Sequence, residues 1–333
     1  MTTSLAELTT LRVGGTPSSI TVAKTESEII RAVQDADARN VQPLILGGGS
    51  NLVVADDFAG EVILIASEGI ENDASACAGA WVTVQAGHPW DDFVSHAVSN
   101  EWLGIEALSG IPGSTGATPI QNVGAYGQQV SSTIAQVRTW NRERNAVETL
   151  FADDCAFAYR SSIFKQHPQR WVILSVTFQL KLGHQSGPVT YLELASHLGI
   201  DVGQKASATQ VRESVLHLRR TKGMVVDPVD ADTWSVGSFF LNPRVAVAPV
   251  GAPSWPEADG RIKVSAAWLI EQSGFHRGFG LNERVTLSSK HALAITNRGS
   301  GNAHDVLELA NHIRAGVQEK FAIALEFEPR IVD

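Results

Sequence analysis

Leu46-Gly-Gly-Gly-Ser-Asn-Leu-Val-Val-Ala-Asp56 is the stretch on which the fold class turns. A dinucleotide fingerprint of the doubly wound type needs G-x-G-x-x-G between a strand and a helix. Gly47 and Gly49 fit, but Leu52 stands where the third glycine belongs, and the residues after it read as strand and turn. A phosphate loop of the Gly-Lys-Ser/Thr kind is excluded too, because no such triplet follows. What remains is a triple-glycine turn, Gly47-Gly48-Gly49, whose bare N–H groups suit an anion, with side-chain donors at Ser50 and Asn51. The same residues would also serve as a plain tight turn between strands, and this segment alone leaves both readings open.

Outward from that turn, short apolar runs alternate with a few amphipathic stretches. Residues 27–39 predict a helix with Ile29, Ile30, Val33 and Ala36 on one face and Ser27 as its N-cap. Residues 43–46, 62–66, 81–86 and 138–140 predict strands, and 171–182 a longer one alternating through Val172, Leu174, Val176, Phe178 and Leu180. Helices are expected over about 90–102, 206–222, 263–272 and 305–320, with loops at 183–188 and a long surface connection over 243–260. A last strand is expected over 324–332, sent to an edge or cut short by Pro329. Helices are too sparse for a regular βαβ series, so the expected class is α+β.

Composition narrows the partners. Hydrophobic residues make up 44% of the 333 and charged ones 18%, a balance that folds rather than stays disordered. Lysine and arginine number 26 against 35 acidic residues, and no basic block occurs, which argues against a general binder of nucleic acid or membrane surfaces. Small anionic substrates remain open to it, because a site needs only a few local cations. Cys77 and Cys155 match no metal-ligand spacing, so no metal is expected and both read as reduced thiols of a cytoplasmic protein. Residues 1–8 lack a charged region followed by an apolar core, and no run of 18 apolar residues occurs, so no signal peptide or membrane span is expected.

Four further segments carry chemistry. Leu108-Ser-Gly-Ile-Pro-Gly-Ser-Thr-Gly-Ala-Thr-Pro-Ile-Gln-Asn-Val-Gly-Ala-Tyr-Gly127 holds five glycines, and no charged residue occurs between Glu106 and Arg138. Such a polar, uncharged loop suits a large planar cofactor bearing phosphates, although a packed Ω-loop would look similar. In Tyr159-Arg-Ser-Ser-Ile-Phe-Lys165, Arg160 could grip a carboxylate in bidentate fashion, or be a surface arginine among serines. Gly237-Ser-Phe-Phe-Leu-Asn-Pro243 is no nucleophile elbow, but Ser238 could donate a proton within a hydrogen-bond network. In Leu325-Glu-Phe-Glu-Pro-Arg330, alternation puts Glu326 and Glu328 on one face, a pattern that solvated edge strands also show.

Taken in order, these segments resemble the UDP-N-acetylenolpyruvoylglucosamine reductase family, from Leu11-Arg-Val-Gly-Gly15 nearly to the C-terminus. The resemblance implies an α+β fold. An FAD-binding module of the vanillyl-alcohol-oxidase type would occupy two subdomains, 1–70 and 71–215, followed by a substrate-binding domain over 216–333. It implies NADPH-dependent, FAD-mediated reduction of UDP-N-acetylglucosamine enolpyruvate to UDP-N-acetylmuramate, for peptidoglycan, by a cytoplasmic monomer that holds FAD non-covalently. Gly47, Gly48, Gly49, Ser50, Asn51 and Leu52 would bind FAD on one side, as would Gly14 and Gly15. On the other side, Ser109, Gly113, Ser114, Gly116, Ala117, Gln121, Asn122, Gly124, Ala125 and Tyr126 would line its diphosphate and ring. Arg160, Ser238 and Glu328 correspond to the catalytic residues, with Ser238 the proton donor. Lys222 and Asn242 correspond to diphosphate and sugar contacts, His291 to a further substrate contact, and Tyr191 of Thr190-Tyr-Leu-Glu-Leu194 to the clamping residue of type I members.

Two positions depart from the family pattern: Leu241 replaces a lysine before Asn-Pro, and Pro329 replaces the valine of Glu-Val-Arg. A small-alcohol oxidase on the same scaffold, with His88 as flavin tether, or a non-catalytic nucleotide-binding module would leave Arg160, Ser238 and Glu328 without a task.

Overall fold

Two compact units make up the chain. One consists of Ser18–Gly48 and Gly60–Arg220, the other of Met1–Pro17, Gly49–Ala59 and Thr221–Asp333. The structure is a computed structural model that describes residues 3–75 and 79–333, so Cys77 lies outside the described residues.

Trp171–Leu182 is the centre of the first unit. Its antiparallel sheet runs in the order Ala146–Phe151, Ile134–Asn141, Trp171–Leu182, Gly79–Gln85, Ile70–Ser75. Alternating apolar residues predict a strand with one wet face, but burial is continuous from Trp171 to Phe178. The polar residues on the second face are covered as well, and Thr177 shares a 2.9 Å hydroxyl hydrogen bond with Thr83 across the sheet. The helix Trp90–Ser99 lies on this sheet through Trp90 and Phe93, whose rings stand 5.9 and 5.0 Å from that of Phe178. Removing one such ring from the cluster would cost about 3–5 kcal/mol. The helix ends three residues short of the expected Trp102, because Glu101 turns left-handed and Trp102–Leu103 pairs with the end of the central strand.

The same unit holds a parallel sheet in the order Ser19–Ala23, Glu61–Ile65, Leu44–Leu46. Helix Glu26–Ala38 links its outer strands and starts before Ser27. Thr25 is the cap: its hydroxyl accepts from the Glu28 N–H, and the Glu28 carboxylate accepts from the Thr25 N–H at 3.1 Å. This reciprocal Thr-x-x-Glu box satisfies two orphan donors, where Ser27 would satisfy one.

In the second unit, Leu52–Val54 pairs in parallel with Arg330–Val332, and Val285–Leu287 pairs with Ile295–Asn297. The helices Ala266–Gln272 and Ala303–Phe321 pack around Phe239 and Phe240, both fully buried. The expected bare connection over 243–260 instead carries Arg244–Val245 and Ser254–Pro256, which flank Ile262–Val264 in a small sheet. Lys263 is therefore strand, and the helix expected from it begins at Ala266, capped by the Ser265 hydroxyl. The last strand is shorter than expected: before Arg330 only a bridge between Phe327 and Phe240 forms. Among the described residues no helix is long and apolar enough to cross a membrane, and no group of three or more His, Cys, Asp or Glu could hold a metal. The Cys155 thiol is buried and pushed up to about 12 by that burial and by Asp154, so it stays protonated.

One ion pair ties the first unit's helices to its long glycine-rich segment. The Asp91 carboxylate accepts from Arg212 at 2.6 and 2.9 Å and from the Gly110 N–H at 2.6 Å. Burial alone would raise the Asp91 pKa, but the bonds from Arg212 and Gly110 outweigh it and hold the carboxyl below its ordinary value. A carboxyl depressed in the folded state contributes stability that is complete above its unfolded pKa, about 4, and lost as pH falls through the folded one. Asp91→Asn should therefore lower stability at pH 7 by about 1–2 kcal/mol, allowing for the pair's partial exposure. It should also flatten the loss of stability between about pH 5 and pH 3. Urea unfolding across that range checks this; a variant whose acid limb stays parallel to wild type would remove Asp91 from the account.

Candidate active site

The strand Leu44–Leu46 runs out into Gly47 and Gly48, and there the chain approaches the long glycine-rich segment closely. A Cβ on Gly47 would lie 2.3 Å from the Ser114 hydroxyl oxygen, and one on Gly48 would lie 2.6 Å from the Gly113 Cα. From the opposite side residues 86–90 hold the segment: Gly116 N–H donates to the Ala86 carbonyl at 2.8 Å, Thr115 to His88 at 2.9 Å, and Trp90 to Gly113 at 3.0 Å. The result is two strips of nearly bare backbone side by side, with Gly48 open to solvent. Glycine peptide groups with little side-chain cover, beside the Ser114 hydroxyl, are chemistry that fits a dinucleotide diphosphate.

Further along the segment, residues differ in what they can offer. Ser109 is fully buried and donates to the Glu106 carbonyl at 2.7 Å. Asn122 is buried as well, with its amide engaged by Gln129, the Ala158 carbonyl and the Ser131 N–H, so its side chain braces the loop. Ala117, Gln121, Gly124, Ala125 and Tyr126 are half-buried. Tyr126 and Gly127 form the two-residue turn of a hairpin between Gly124–Ala125 and Gln128–Gln129, both with positive φ, 47° and 85°. The Tyr126 ring meets that of Tyr191 edge-on at 5.3 Å, and burial pushes its phenol up to about 12. Tyr191 caps the short helix Leu192–Leu198, and its phenol is likewise raised by burial and by Glu193.

Residues 158–165 dock on the same loop. The Arg160 guanidinium donates to the Gly124 carbonyl at 2.8 Å, Ser162 donates to Ile120, and Lys165 donates to the Arg160 carbonyl at 3.1 Å. Arg160 itself has φ 51°, a left-handed conformation that costs a non-glycine residue about 1–2 kcal/mol. Arg219, at the end of the helix Ala208–Thr221, is a further cation near this loop. Its burial lowers the guanidinium to about 10, against the opposing charges of Tyr126 and Asp91. The run Arg219-Arg-Thr-Lys222 signals cations at a helix end, but not which of them turns inward.

The second unit gathers the other residues. Gly49 has φ 59°, and a Cβ there would lie 2.1 Å from the Leu8 carbonyl oxygen. Gly15 is required on similar grounds, since a Cβ would lie 2.3 Å from the Asp56 carbonyl oxygen. Ser50 and Leu52 are half-buried, and Leu52 opens the strand paired with Arg330–Val332. Ser238 is half-buried between Gly237, at φ 75°, and the buried Phe239. Its segment is bonded on both edges: Phe239 N–H donates to Leu293 at 2.8 Å, while Glu328 N–H donates to Phe239 at 2.9 Å and Leu241 to Glu326 at 2.9 Å. Ser238 and Glu328 are thereby brought onto neighbouring strips. Phe239, Phe240 and Phe327 lock them together with ring centroids 5.3–5.7 Å apart.

Asn51 joins this group, donating to the Glu328 carbonyl at 3.4 Å and accepting from the Arg330 N–H at 3.0 Å. Pro329 falls between those two bonded residues, where the strip leaves residues 239–241 and takes up Leu52–Val54; its missing N–H comes at the hand-over. Leu241 keeps its backbone in the strip. The Asn242 side-chain oxygen accepts from the Ala266 N–H at 2.9 Å, at the first residue of the helix Ala266–Gln272. Lys222 is half-buried just past the helix Ala208–Thr221, and His291 heads the turn that carries Leu293.

The FAD binding domain family matches residues 17–147, and the family described as UDP-N-acetylenolpyruvoylglucosamine reductase, C-terminal domain, matches 227–332. The UDP-N-acetylenolpyruvoylglucosamine reductase of Cutibacterium acnes is 50% identical, over 98% of this chain and 89% of the relative. That of Salinispora arenicola is 48% identical over 99% and 94%. A crystal structure of UDP-N-acetylenolpyruvylglucosamine reductase from Thermus caldophilus, 22% identical, shares the fold with a TM-score of 0.66 over 99% of this chain and 98% of that one. With relatives this similar along its whole length, the chain belongs to the UDP-N-acetylenolpyruvoylglucosamine reductase family.

Proposed function

We propose that this protein reduces the enolpyruvyl ether of UDP-N-acetylglucosamine enolpyruvate to the lactyl ether of UDP-N-acetylmuramate, with FAD and NADPH, in peptidoglycan precursor synthesis. The observation that supports the reading is the pair of bonded strips that carry Ser238 and Glu328, Glu328 N–H donating to the carbonyl of Phe239, the residue after Ser238. A flavoprotein of another kind, or a module that only binds nucleotides, has no use for that arrangement.

Bound FAD, once reduced by NADPH, supplies the hydride that no side chain can supply. Gly47 to Asn51 and the loop from Ser109 to Tyr126 hold it, with Asn122 bracing that loop from within. Lys222 meets the diphosphate of the sugar nucleotide, Asn242 the sugar, Tyr191 closes over it, and His291 adds a further contact. The substrate's terminal vinyl carbon accepts the hydride, and the π pair moves onto the carbon beside the carboxylate. Arg160 orients that carboxylate and stabilises the charge that develops on it. Glu328 helps when it carries a proton to donate, since an ionised carboxyl there would oppose the charge. Ser238 then gives its hydroxyl proton to the carbon beside the carboxylate, which completes the reduction and sets its configuration.

On this reading the two FAD-binding subdomains span 1–70 and 71–215, the substrate domain spans 216–333, and the enzyme is a cytoplasmic monomer. NADP+, the oxidised product of the first half-reaction, leaves before the sugar nucleotide enters, so initial-rate plots should be parallel.

Purified protein should be yellow, bleach with NADPH, and regain its colour when the enolpyruvyl sugar nucleotide is added. Protein that releases no flavin on heating would sink the proposal. Ser238→Ala should leave bleaching by NADPH within about twofold of wild type and slow recovery by at least about 100-fold, the usual scale for a lost proton donor. Equal losses in both half-reactions, followed by stopped-flow absorbance, would take the proton-donor role away from Ser238.

A further inference from the structure

The segment that leads into Ser238 has little regular structure, only a single turn at Ala231–Thr233, and Gly237 just before the serine gives the backbone freedom. Its placement must come from outside bonds. Two are backbone contacts to the hairpin of Val285–Leu287 and Ile295–Asn297: Asn297 N–H donates to the Trp234 carbonyl at 3.0 Å, and Phe239 N–H to Leu293. Ser238 lies between them. Three more converge on Asp232, which is 6% exposed. Its carboxylate accepts from the Ser289 N–H at 2.9 Å, the Ser289 hydroxyl at 2.5 Å and the Arg298 guanidinium at 2.9 Å. Ser289 follows the first strand of the hairpin and Arg298 the second, so one carboxylate ties both to the turn ahead of Ser238.

Neighbouring contacts support the same turn. Lys290 donates to Asp230. The Arg12 guanidinium carbon lies over the Trp234 ring, 3.6 Å from its centroid, and Thr10 donates to the Ser235 carbonyl at 2.7 Å. Burial pushes the Asp232 carboxyl up, but the bonds from Ser289 and Arg298 more than reverse this and keep it ionised at neutral pH.

We propose that Asp232 is a positioning residue for Ser238, fixing the register of residues 234–239 against the hairpin so that the hydroxyl meets the carbon it protonates. The inference rests on the proton-donor reading of Ser238 above. An asparagine at 232 keeps the shape but removes the negative charge that strengthens the bonds from Arg298 and Ser289. The turn would loosen, and a displacement of about 1 Å at a reacting group can cost about 100-fold in rate.

The test compares Asp232→Asn, Ser238→Ala and the double variant as FAD-loaded enzymes, each half-reaction being followed by flavin absorbance. Asp232→Asn should retain FAD, be reduced by NADPH within about twofold of wild type, and bind the sugar nucleotide with a similar Kd. Its first-order reoxidation should fall by about 10- to 100-fold, and the double variant should be no slower than Ser238→Ala alone. Wild-type reoxidation in Asp232→Asn, equal slowing of both half-reactions, or additive losses in the double variant would overturn the proposal. Should Asp232→Asn fail to fold, Ser289→Ala, which removes one of the three donors, should show the same selective loss at smaller scale, and a uniform loss would count equally against it. Ser238→Ala reoxidising at the wild-type rate would bring down the donor reading itself, and that variant alone separates the two failures.

Discussion

A methyl carbon added to Gly48 would stand 2.6 Å from the Gly113 Cα, and much of the first unit follows from keeping that space empty. Backbones can meet so closely only if both are anchored from behind. Leu44–Leu46 anchors one as a strand of the parallel sheet, and residues 86–90 anchor the other. Those residues connect Gly79–Gln85 to the helix Trp90–Ser99, so the glycine cradle takes its position from the buried sheet around Trp171–Leu182. The Asp91–Arg212 pair reaches the same loop at Gly110. Rigidity behind the cradle and bare peptide groups in front of it are one design. An anion site made of N–H dipoles gains from preorganisation, because the dipoles need not turn when the ligand arrives.

The second unit solves a different problem, holding a small hydroxyl steady with irregular backbone. Phe239 and Phe240 are buried on the strip that leaves Ser238 half-open, so apolar packing decides which way the serine faces. Rotating it inward would expose a phenylalanine, whose burial is worth about 1.5–3 kcal/mol. Packing fixes the face but not the position along the strip, which is where Asp232 and its three donors enter.

Local signals were legible in the sequence and long-range ones were not. The span of Trp171–Leu182 could be read from its own residues, whereas its second covered face depends on neighbours far away in sequence. The Thr25–Glu28 box is local and was there to be read; Ser27 obscured it. Ser238 and Glu328 could each be singled out by motif, but nothing in either motif reveals that Glu328 N–H bonds to Phe239. Asp91, Arg219 and Asp232 carry no signal as residues. Each matters through a partner more than 50 residues away, or through burial, and neither is written in a spacing. The stretch 243–260 misled because proline and glycine mark turns well but do not exclude short strands between them.

Positive φ at non-glycine residues occurs at several places in the chain. Left-handed Asn40 and Ala322 sit where helices end, and Asn145 sits between paired strands, all ordinary sites for that conformation. Tyr126 and Arg160, like Arg12 and Glu101, are bulky residues that do not suit positive φ. The turn at Tyr126-Gly127 needs positive φ twice, and Gly127 is held to glycine by Thr190, whose hydroxyl would lie 2.5 Å from a Cβ. At 126 asparagine or glycine would meet the turn's demand at lower cost. A tyrosine there is therefore unfavourable for the hairpin on its own, and what it adds is a ring delivered against Tyr191. Arg160 follows the same logic, its strain offset in part by the bond to the Gly124 carbonyl that aims its guanidinium across the loop.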